Sequence, residues 1–337
     1  MKITVVGDIM MGRGVESYVK DYGLPNLFME LDCDLTDGYA IANLESLLLN
    51  NKMTTSKLGA PESFAVQLRN AGINAVSLAN NHILDLEKAG LCSTIKALSD
   101  NNIKYFGAGE TISEATKPVI LEGNGINIGI MSFSYTKEAT LNSYGIANMF
   151  SKHAQEKMRE LKNEVDYIIT MVHSGIELFE FPLPRDQKLY KTYIDCGSDI
   201  IIGSHSHCIQ AMERYKGKYI FYGIGDSIFD HYEPTVWNGF WEGTTHPYIF
   251  DLKVSEDLPR YSLVIEIEIH NDSFNVRYKP IKSKASGPWL RNLSITEDKS
   301  WSNKFDLLND MLLNDKNTLI KRIKIENELL KMISKTR

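Results

Sequence analysis

The chain has 337 residues, a formal net charge of −6 and a hydrophobic share of 43%. That is enough apolar content for one large core or two ordinary ones. It leaves no basic excess of the kind that marks a nucleic-acid binder and no apolar run long enough for a membrane helix. Cys33, Cys92, Cys196 and Cys208 are scattered with no C-x-x-C pair, which points to free thiols and a cytoplasmic, reducing setting.

The opening "MKITVVGDIM" is too short for a signal-peptide core, so "KITVVGD" reads as a first strand. "NLFMELDCDLTDG" reads as helix then turn, "YAIANLES" as a strand, and "SFAVQLRNAG" as an amphipathic helix ending at Gly72. "INAVSLANNH" follows as a strand and "EKAGLCSTIKALSDNN" as a helix; "INIGIMSFS" and "VDYIITMVHSG" are strands, and "KLYKTYIDCG" is a helix before the strand "SDIIIGSHSH". This order predicts an α/β fold with crossover connections. After about residue 215, "KYIFYGIGD", "PYIFDLKV", "SLVIEIEIH" and "FNVRYKPIK" are strands with "HNDS" as a hairpin turn. They imply a second, more antiparallel layer. From Trp301 the pattern is helical.

The polar residues fall at the ends of these strands. Asp8 closes "VVGD", Asn43 and Glu45 close "IANLE", and Asn80, Asn81 and His82 close "SLANNH". His173 and Glu177 follow "TMV", His205 and His207 follow "IIGS", and Asp226 and Asp230 lie in "YGIGDSIFD". In α/β sheets the carboxyl ends of strands share one crevice. Carboxylates, amides and imidazoles delivered there make a mixed nitrogen and oxygen site suited to zinc, manganese or iron. In extended backbone, residues two apart project to the same side, so His205 and His207 are expected to converge. Taken singly, each motif has an ordinary reading: a turn at Asp8, loop chemistry at Asn80–Asn81–His82, a core histidine at His173. Six polar strand ends in register are not explained that way. The chain has no G-x-G-x-x-G, G-x-S-x-G or G-x-x-x-x-G-K-[ST] motif to argue for dinucleotide, acyl-enzyme or phosphate-loop chemistry.

The segments "GDIMMGRG", "IANLES", "SLANNHILDL", "FGAGETISEATKP", "VHSGIE", "IIGSHSHCIQAME" and "GKYIFYGIGDSIFD" resemble, in order and spacing, the CapA family of capsule and poly-γ-glutamate biosynthesis proteins, a branch of the calcineurin-like metallophosphoesterases. The resemblance runs from residue 1 to about 285 and leaves 286–337 as a C-terminal helical extension. It implies a four-layer α/β/β/α sandwich with two divalent metal ions (Mn, Fe or Zn) at the strand ends. Carried over by position, Asp8, Glu45 and His207 would hold one ion, and Glu45, Asn81, His173 and His205 the other. His82 would protonate a leaving oxygen or steady the transition state, beside the catalytic carboxylates Asp8 and Glu45. Arg13 is expected to bind an anionic substrate group through its guanidinium fork, with Glu177 and Asp226 also at the substrate. The chain departs from the pattern at three places. Met10 stands where calcineurin-like enzymes have a histidine, Ser174 where the family has tryptophan, and Asp226 where "SLGNFIFD" has asparagine.

The function implied is a metal-dependent hydrolase of phosphoesterase type, with γ-glutamyl amide hydrolysis as a variant, acting on an anionic small molecule or polymer in capsule or poly-γ-glutamate synthesis. The alternative is a non-catalytic or weakly catalytic component of a polymer-synthesis complex. In the tail, Leu319, Ile323, Leu330 and Ile333 are expected to form one apolar helical face. Lys321, Arg322, Lys324, Lys331, Lys335 and Arg337 are expected to form a solvated basic face, or a surface for a polymer-synthesis partner.

Overall fold

The alternation of apolar residues along the first strand already separates two cores. We describe a computed structural model covering residues 1–24, 28, 34–50, 58–229, 261–270, 273–284, 294–297 and 301–335. In β1 (Lys2–Ile9), Ile3 and Val5 face one cluster of buried side chains while Val6 and Ile9 face another. β2 (Tyr39–Leu44) repeats this, with Ile41 on one side and Ala40, Ala42 and Leu44 on the other. A strand buried on both faces must sit in a middle layer.

Two sheets form the middle of the sandwich. The remaining strands of the first are β5 (Ile73–Ser77), β6 (Lys104–Phe106), β15 (Asp226–Ile228), β16 (Tyr261–His270), β17 (Ser273–Lys284) and β18 (Ser294–Glu297). Its order is β18-β17-β16-β1-β2-β5-β6, with β15 also paired to β1. The second sheet runs β13 (Met212–Tyr215), β14 (Lys218–Phe221), β12 (Ile200–Ser204), β11 (Tyr167–His173), β9 (Ile126–Ser134) and β8 (Val119–Gly123). Two short ribbons complete the set, β3 (Leu48–Leu49) with β4 (Ala60–Pro61) and β7 (Ala108–Gly109) with β10 (Gly145–Ile146).

Helices cover both outer faces. α1 (Arg13–Tyr22), α2 (Ala65–Asn70) and α3 (Glu87–Asp100) lie over the first sheet, and α4 (Ile112–Ala115) packs on the β7–β10 ribbon. α5 (Lys152–Lys162), α6 (Pro184–Asp195), α7 (Trp301–Asn314) and α8 (Lys316–Lys335) lie over the second. The α/β/β/α architecture with helical C-terminal segments is therefore as expected from the sequence. α1 and α5 go beyond the expected elements. α5 buries only Ala154, Met158 and Leu161 among highly polar neighbours, a stripe too narrow to stand out by periodicity.

Two expectations are corrected. The late antiparallel strands do not make a layer of their own. β16 pairs antiparallel with β1 and extends the first sheet, while β14 joins the second in parallel with β12. β16 does use its alternation: Leu263, Ile265, Ile267 and Ile269 enter the inter-sheet core, and Glu266 meets Lys2 and Lys279 on the other face. The second correction concerns α8. Leu319, Ile323 and Leu330 are between 42% and 48% exposed, whereas Thr318, Arg322, Ile325 and Leu329 form the buried stripe. Arg322, expected on a solvated or partner-facing basic surface, is buried: its Nε donates to the Pro182 carbonyl at 2.7 Å and its guanidinium also donates to Gln187 Oε1. Most of "NLFMELDCDLTDG", all of "PYIFDLKV", the centre of the "HNDS" turn, Asp230, Cys33, Arg337 and the side chains of Ile333 and Lys335 lie outside the described residues. Cys92, Cys196 and Cys208 are free thiols.

The chain crosses from the second sheet to the first through Tyr222–Gly225. This segment threads between Gly203 and Gly7. A Cβ on Gly203 would overlap the Tyr222 carbonyl oxygen, and one on Gly7 the Gly225 carbonyl oxygen. Backbone bonds from Ile224 N to Gly203 O (3.0 Å) and from Asp8 N to Gly225 O (3.1 Å) seal the crossing. Gly7→Ala should therefore destabilise the fold by about 3 kcal/mol, the upper end of overpacking costs. Gly125→Ala, with open space around it but φ +76°, should cost only about 1 kcal/mol of backbone strain. Denaturant unfolding of the two variants checks this; equal losses would show that the crossing is not tightly packed.

Candidate metal centre

β1, β2 and β5 run parallel in one sheet, and β9, β11 and β12 run parallel in the other. Their carboxyl ends meet, as strand ends of α/β sheets do. Asp8, at the end of β1, ties the two together. Its Oδ1 accepts from Asn43 Nδ2 at 2.9 Å in the same sheet, and its Oδ2 accepts from the backbone N–H of His205 at 3.0 Å in the other. Asn80 shapes the loop after β5: its Oδ1 accepts from the N–H groups of His82 and Ile83, and its Nδ2 donates to the Leu44 carbonyl. That loop brings Asn81 Oδ1 to 2.8 Å from His173 Nε2.

His205 and His207 do converge, but not by strand alternation. β12 ends at Ser204, and the two residues have φ +84° and +49°. Left-handed backbone at a non-glycine residue is uncommon. It turns both imidazoles inward with His173, whose ring lies 4.7 Å from that of His205 between centroids. His173 Nδ1 is 2.9 Å from Ser204 Oγ.

Glu45 lies at the focus. It is wholly buried, and neither of its carboxylate oxygens has a hydrogen-bond partner among the described residues. Its Oε1 is 3.8 Å from His82 Nε2, 3.8 Å from His173 Nε2 and 4.0 Å from His207 Nε2. These are too long for hydrogen bonds and leave room for a cation between the groups. Three sets of ligand atoms lie close enough to share an ion: Glu45 with His205 and His207, Asp8 with Glu45 and His173, and Asp8 with His207 and Asp226. All the residues expected as ligands meet here, with Asn81 brought in through His173.

The electrostatics suit a cation. Burial, then the charge of Asp226, pushes the Asp8 carboxyl up to about 7. Burial, with Asp8, Asp226 and Glu177 adding to it, raises Glu45 well above the usual carboxylate range. Burial, then the neighbouring histidines, holds His173 and His205 well below the ordinary imidazole value, so both are neutral and able to ligate. Burial acts in the same direction on His207, but Asp226 and Glu45 together outweigh it and hold it up. An excess of buried carboxylate beside neutral imidazoles is what a divalent cation relieves.

The residues expected at the substrate are placed variously. His82 stands at the opening with its Nδ1 3.1 Å from Asp85 Oδ2, which orients the ring. The Arg13 guanidinium lies 5.4 Å from the Phe229 ring, and Phe229 lies 4.9 Å from His207, so Arg13 reaches the rim. Glu177 is buried, its Oε2 has no hydrogen-bond partner among the described residues, and burial raises its carboxyl. Asp226 is wholly buried with its Oδ1 2.9 Å from His207 Nδ1; it backs a histidine and is not displayed to a substrate. Tyr135 was missed in the sequence, although it follows the strand end "INIGIMSFS". Its hydroxyl is 3.2 Å from His205 Nε2. Met10, at the position without a histidine, is buried with its sulfur 3.1 Å from the Gly12 N–H.

The chain is 32% identical over 250 residues to the capsule biosynthesis protein CapA of Bacillus anthracis, covering 68% of this chain and 60% of that one. It is 28% identical over 246 residues to the PGA biosynthesis protein CapA of Bacillus subtilis (strain 168), covering 68% and 63%. The match thus spans about three fifths of the length of these curated relatives. A solved phosphatase from Mycoplasma pneumoniae is similar at 14% identity and a TM-score of 0.47, over 83% of this chain and 92% of that one. The family model described as bacterial capsule synthesis protein PGA_cap matches residues 2–231, which hold every residue of the centre described above, and the chain belongs to that family.

Proposed function

We propose that the chain is a metal-dependent hydrolase of phosphoesterase type acting in capsule or poly-γ-glutamate-type polymer synthesis. The observation that carries this reading is Glu45: a fully buried carboxylate with neither oxygen hydrogen-bonded among the described residues, facing three imidazole nitrogens at 3.8–4.0 Å. Such a group is costly without a cation. The proposed ligands are Asp8, Glu45, Asn81, His173, His205 and His207, holding two divalent ions of Mn, Fe or Zn. Ions held there would supply Lewis acidity and a lowered pKa for bound water. Residues 1–285 carry the chemistry in this reading, and 286–337 brace it.

The chain's own residues do the rest. Arg13 at the rim draws an anionic substrate group inward. His82, steadied by Asp85, is within reach of the Glu45 carboxylate and donates a proton to the departing oxygen. Ser204 and Asn43 fix the His173 ring from behind. Phosphoester and γ-glutamyl amide bonds both fit a centre of this kind. The names of the Bacillus relatives, capsule biosynthesis and PGA biosynthesis, support polymer synthesis as the setting. Among the described residues no helix is long and apolar enough to cross a membrane.

Met10 favours a second reading, in which the chain is a weakly catalytic component of a synthesis complex. Its thioether is already engaged by Gly12, so that side of the centre has one strong ligand fewer.

Elemental analysis of protein purified without chelator or histidine tag should give about two equivalents of metal per chain, and one or none in His205→Ala. No metal after soaking in Mn²⁺ would overturn the hydrolase. In a phosphoester screen, His82→Ala should lower kcat by about 10²–10⁴-fold, the usual loss for a general acid, while keeping its metal. An unchanged kcat would remove His82 from the chemistry. Below about pH 7 the metal-free Asp8 keeps its proton, and a bound ion must displace it. Glu45 and His207, which are also held up, must give up their protons too, so stabilisation by Mn²⁺ should grow as pH rises from 6 to 8, reaching about 2.7 kcal/mol at a hundredfold excess over Kd. Thermal shifts measured with and without Mn²⁺ test this, and a flat response would exclude Asp8 as a ligand.

A further inference from the structure

We propose that Asp226 is a positioning residue of the metal centre, which accepts the Nδ1–H of His207 and so aims His207 Nε2 at Glu45. The inference rests on the metal-centre reading above. Asp226 Oδ1 lies 2.9 Å from His207 Nδ1, while the opposite ring nitrogen lies 4.0 Å from Glu45 Oε1. An ionised carboxylate only accepts hydrogen bonds, and an imidazole that donates from Nδ1 keeps its lone pair on Nε2. A ligating histidine commonly donates its other N–H to a carboxylate, which fixes the tautomer and strengthens the ligand.

The surroundings make this contact decisive for His207. The residue sits beyond the end of β12 with φ +49°, so no strand pairing orients its ring. The other ring close by on that side, Phe229 at 4.9 Å, is apolar. The two other inward histidines are served differently, His173 by the Ser204 hydroxyl and His205 by the Tyr135 hydroxyl. Asp226 is itself rigid. It pairs in register with Asp8 across parallel strands, and Met10 N donates to Ile228 O at 2.8 Å while Gly7 N donates to Ser227 Oγ at 2.8 Å. Across the same strand pair Met10 offers only a thioether engaged by Gly12, so the donor strength of His207 counts for more.

The test is Mn²⁺ titration of the full chain, by calorimetry, for the wild type, Asp226→Asn, His207→Ala and the double variant. Asp226→Asn should weaken one equivalent by about 10–100-fold, the loss typical of a residue supporting a ligand, and leave the other unchanged. In the His207→Ala background the same substitution should change nothing further, because the effect passes through His207. A general structural defect would weaken both equivalents and persist in that background. Asp226→Ser carries the same expectation should Asp226→Asn fail to fold. Wild-type affinity in Asp226→Asn, or a full additional loss in the double variant, would overturn the inference. Absence of binding by the wild type would instead mark failure of the metal-centre reading on which it rests.

Discussion

Glu45 sets the terms for this molecule. A buried carboxylate without a hydrogen-bond donor among the described residues is among the most costly groups a protein interior can hold, and here it lies where two sheets meet. The surrounding groups offset it only in part. Glu45 and Asp226 hold His207 above the ordinary imidazole value, but His173 and His205 are kept uncharged, and Asp8 and Asp226 add carboxylates of their own. A site that gathers more buried carboxylate than buried positive charge suits a cation, and it gives a reason for so many polar residues at the ends of otherwise apolar strands.

Holding such a focus requires the ends of two sheets to stay in register. Asp8 does this directly, with one oxygen bonded to its own sheet and the other to the turn of the facing sheet. The Tyr222–Gly225 crossing does it through the backbone, pressed against Gly203 and Gly7 with no space for a side chain. Gly7 and Gly203 lie one and two residues before Asp8 and His205. Gly7 and Gly203 are therefore the points at which the ligand-bearing ends are clamped.

The strand and helix order, the α/β class and the gathering of Asp8, Glu45, Asn81, His173, His205 and His207 were legible because local patterning dictates them: apolar runs ending in polar residues, helices closed by glycine. What was not legible depends on pairing at long range. Nothing in "SLVIEIEIH" says that it will extend the sheet begun by residues 2–9. The reach of His205 and His207 into the centre comes from left-handed turns, not from the extended backbone that spacing suggested. Asp226 looked like a substrate contact because sequence records a carboxylate near the site but not which way it faces. Arg322 looked like a surface charge because helical periodicity treats every arginine as solvated, and only the carbonyl of Pro182 overhead shows otherwise.

The placement of β16 and α8 bears on where this protein can be cut. The span shared with the family model closes at residue 231, yet β1 finds one of its neighbours in residues 261–270, and the inter-sheet core takes Leu263, Ile265, Ile267 and Ile269 from the same strand. A fragment ending at 231 would bare the backbone edge of its own first strand, an invitation to self-association, and would strip Arg322 from beneath the Pro182–Gln187 segment. The boundary of kinship and the boundary of the folding unit are different places in this chain, and the second lies well beyond the first.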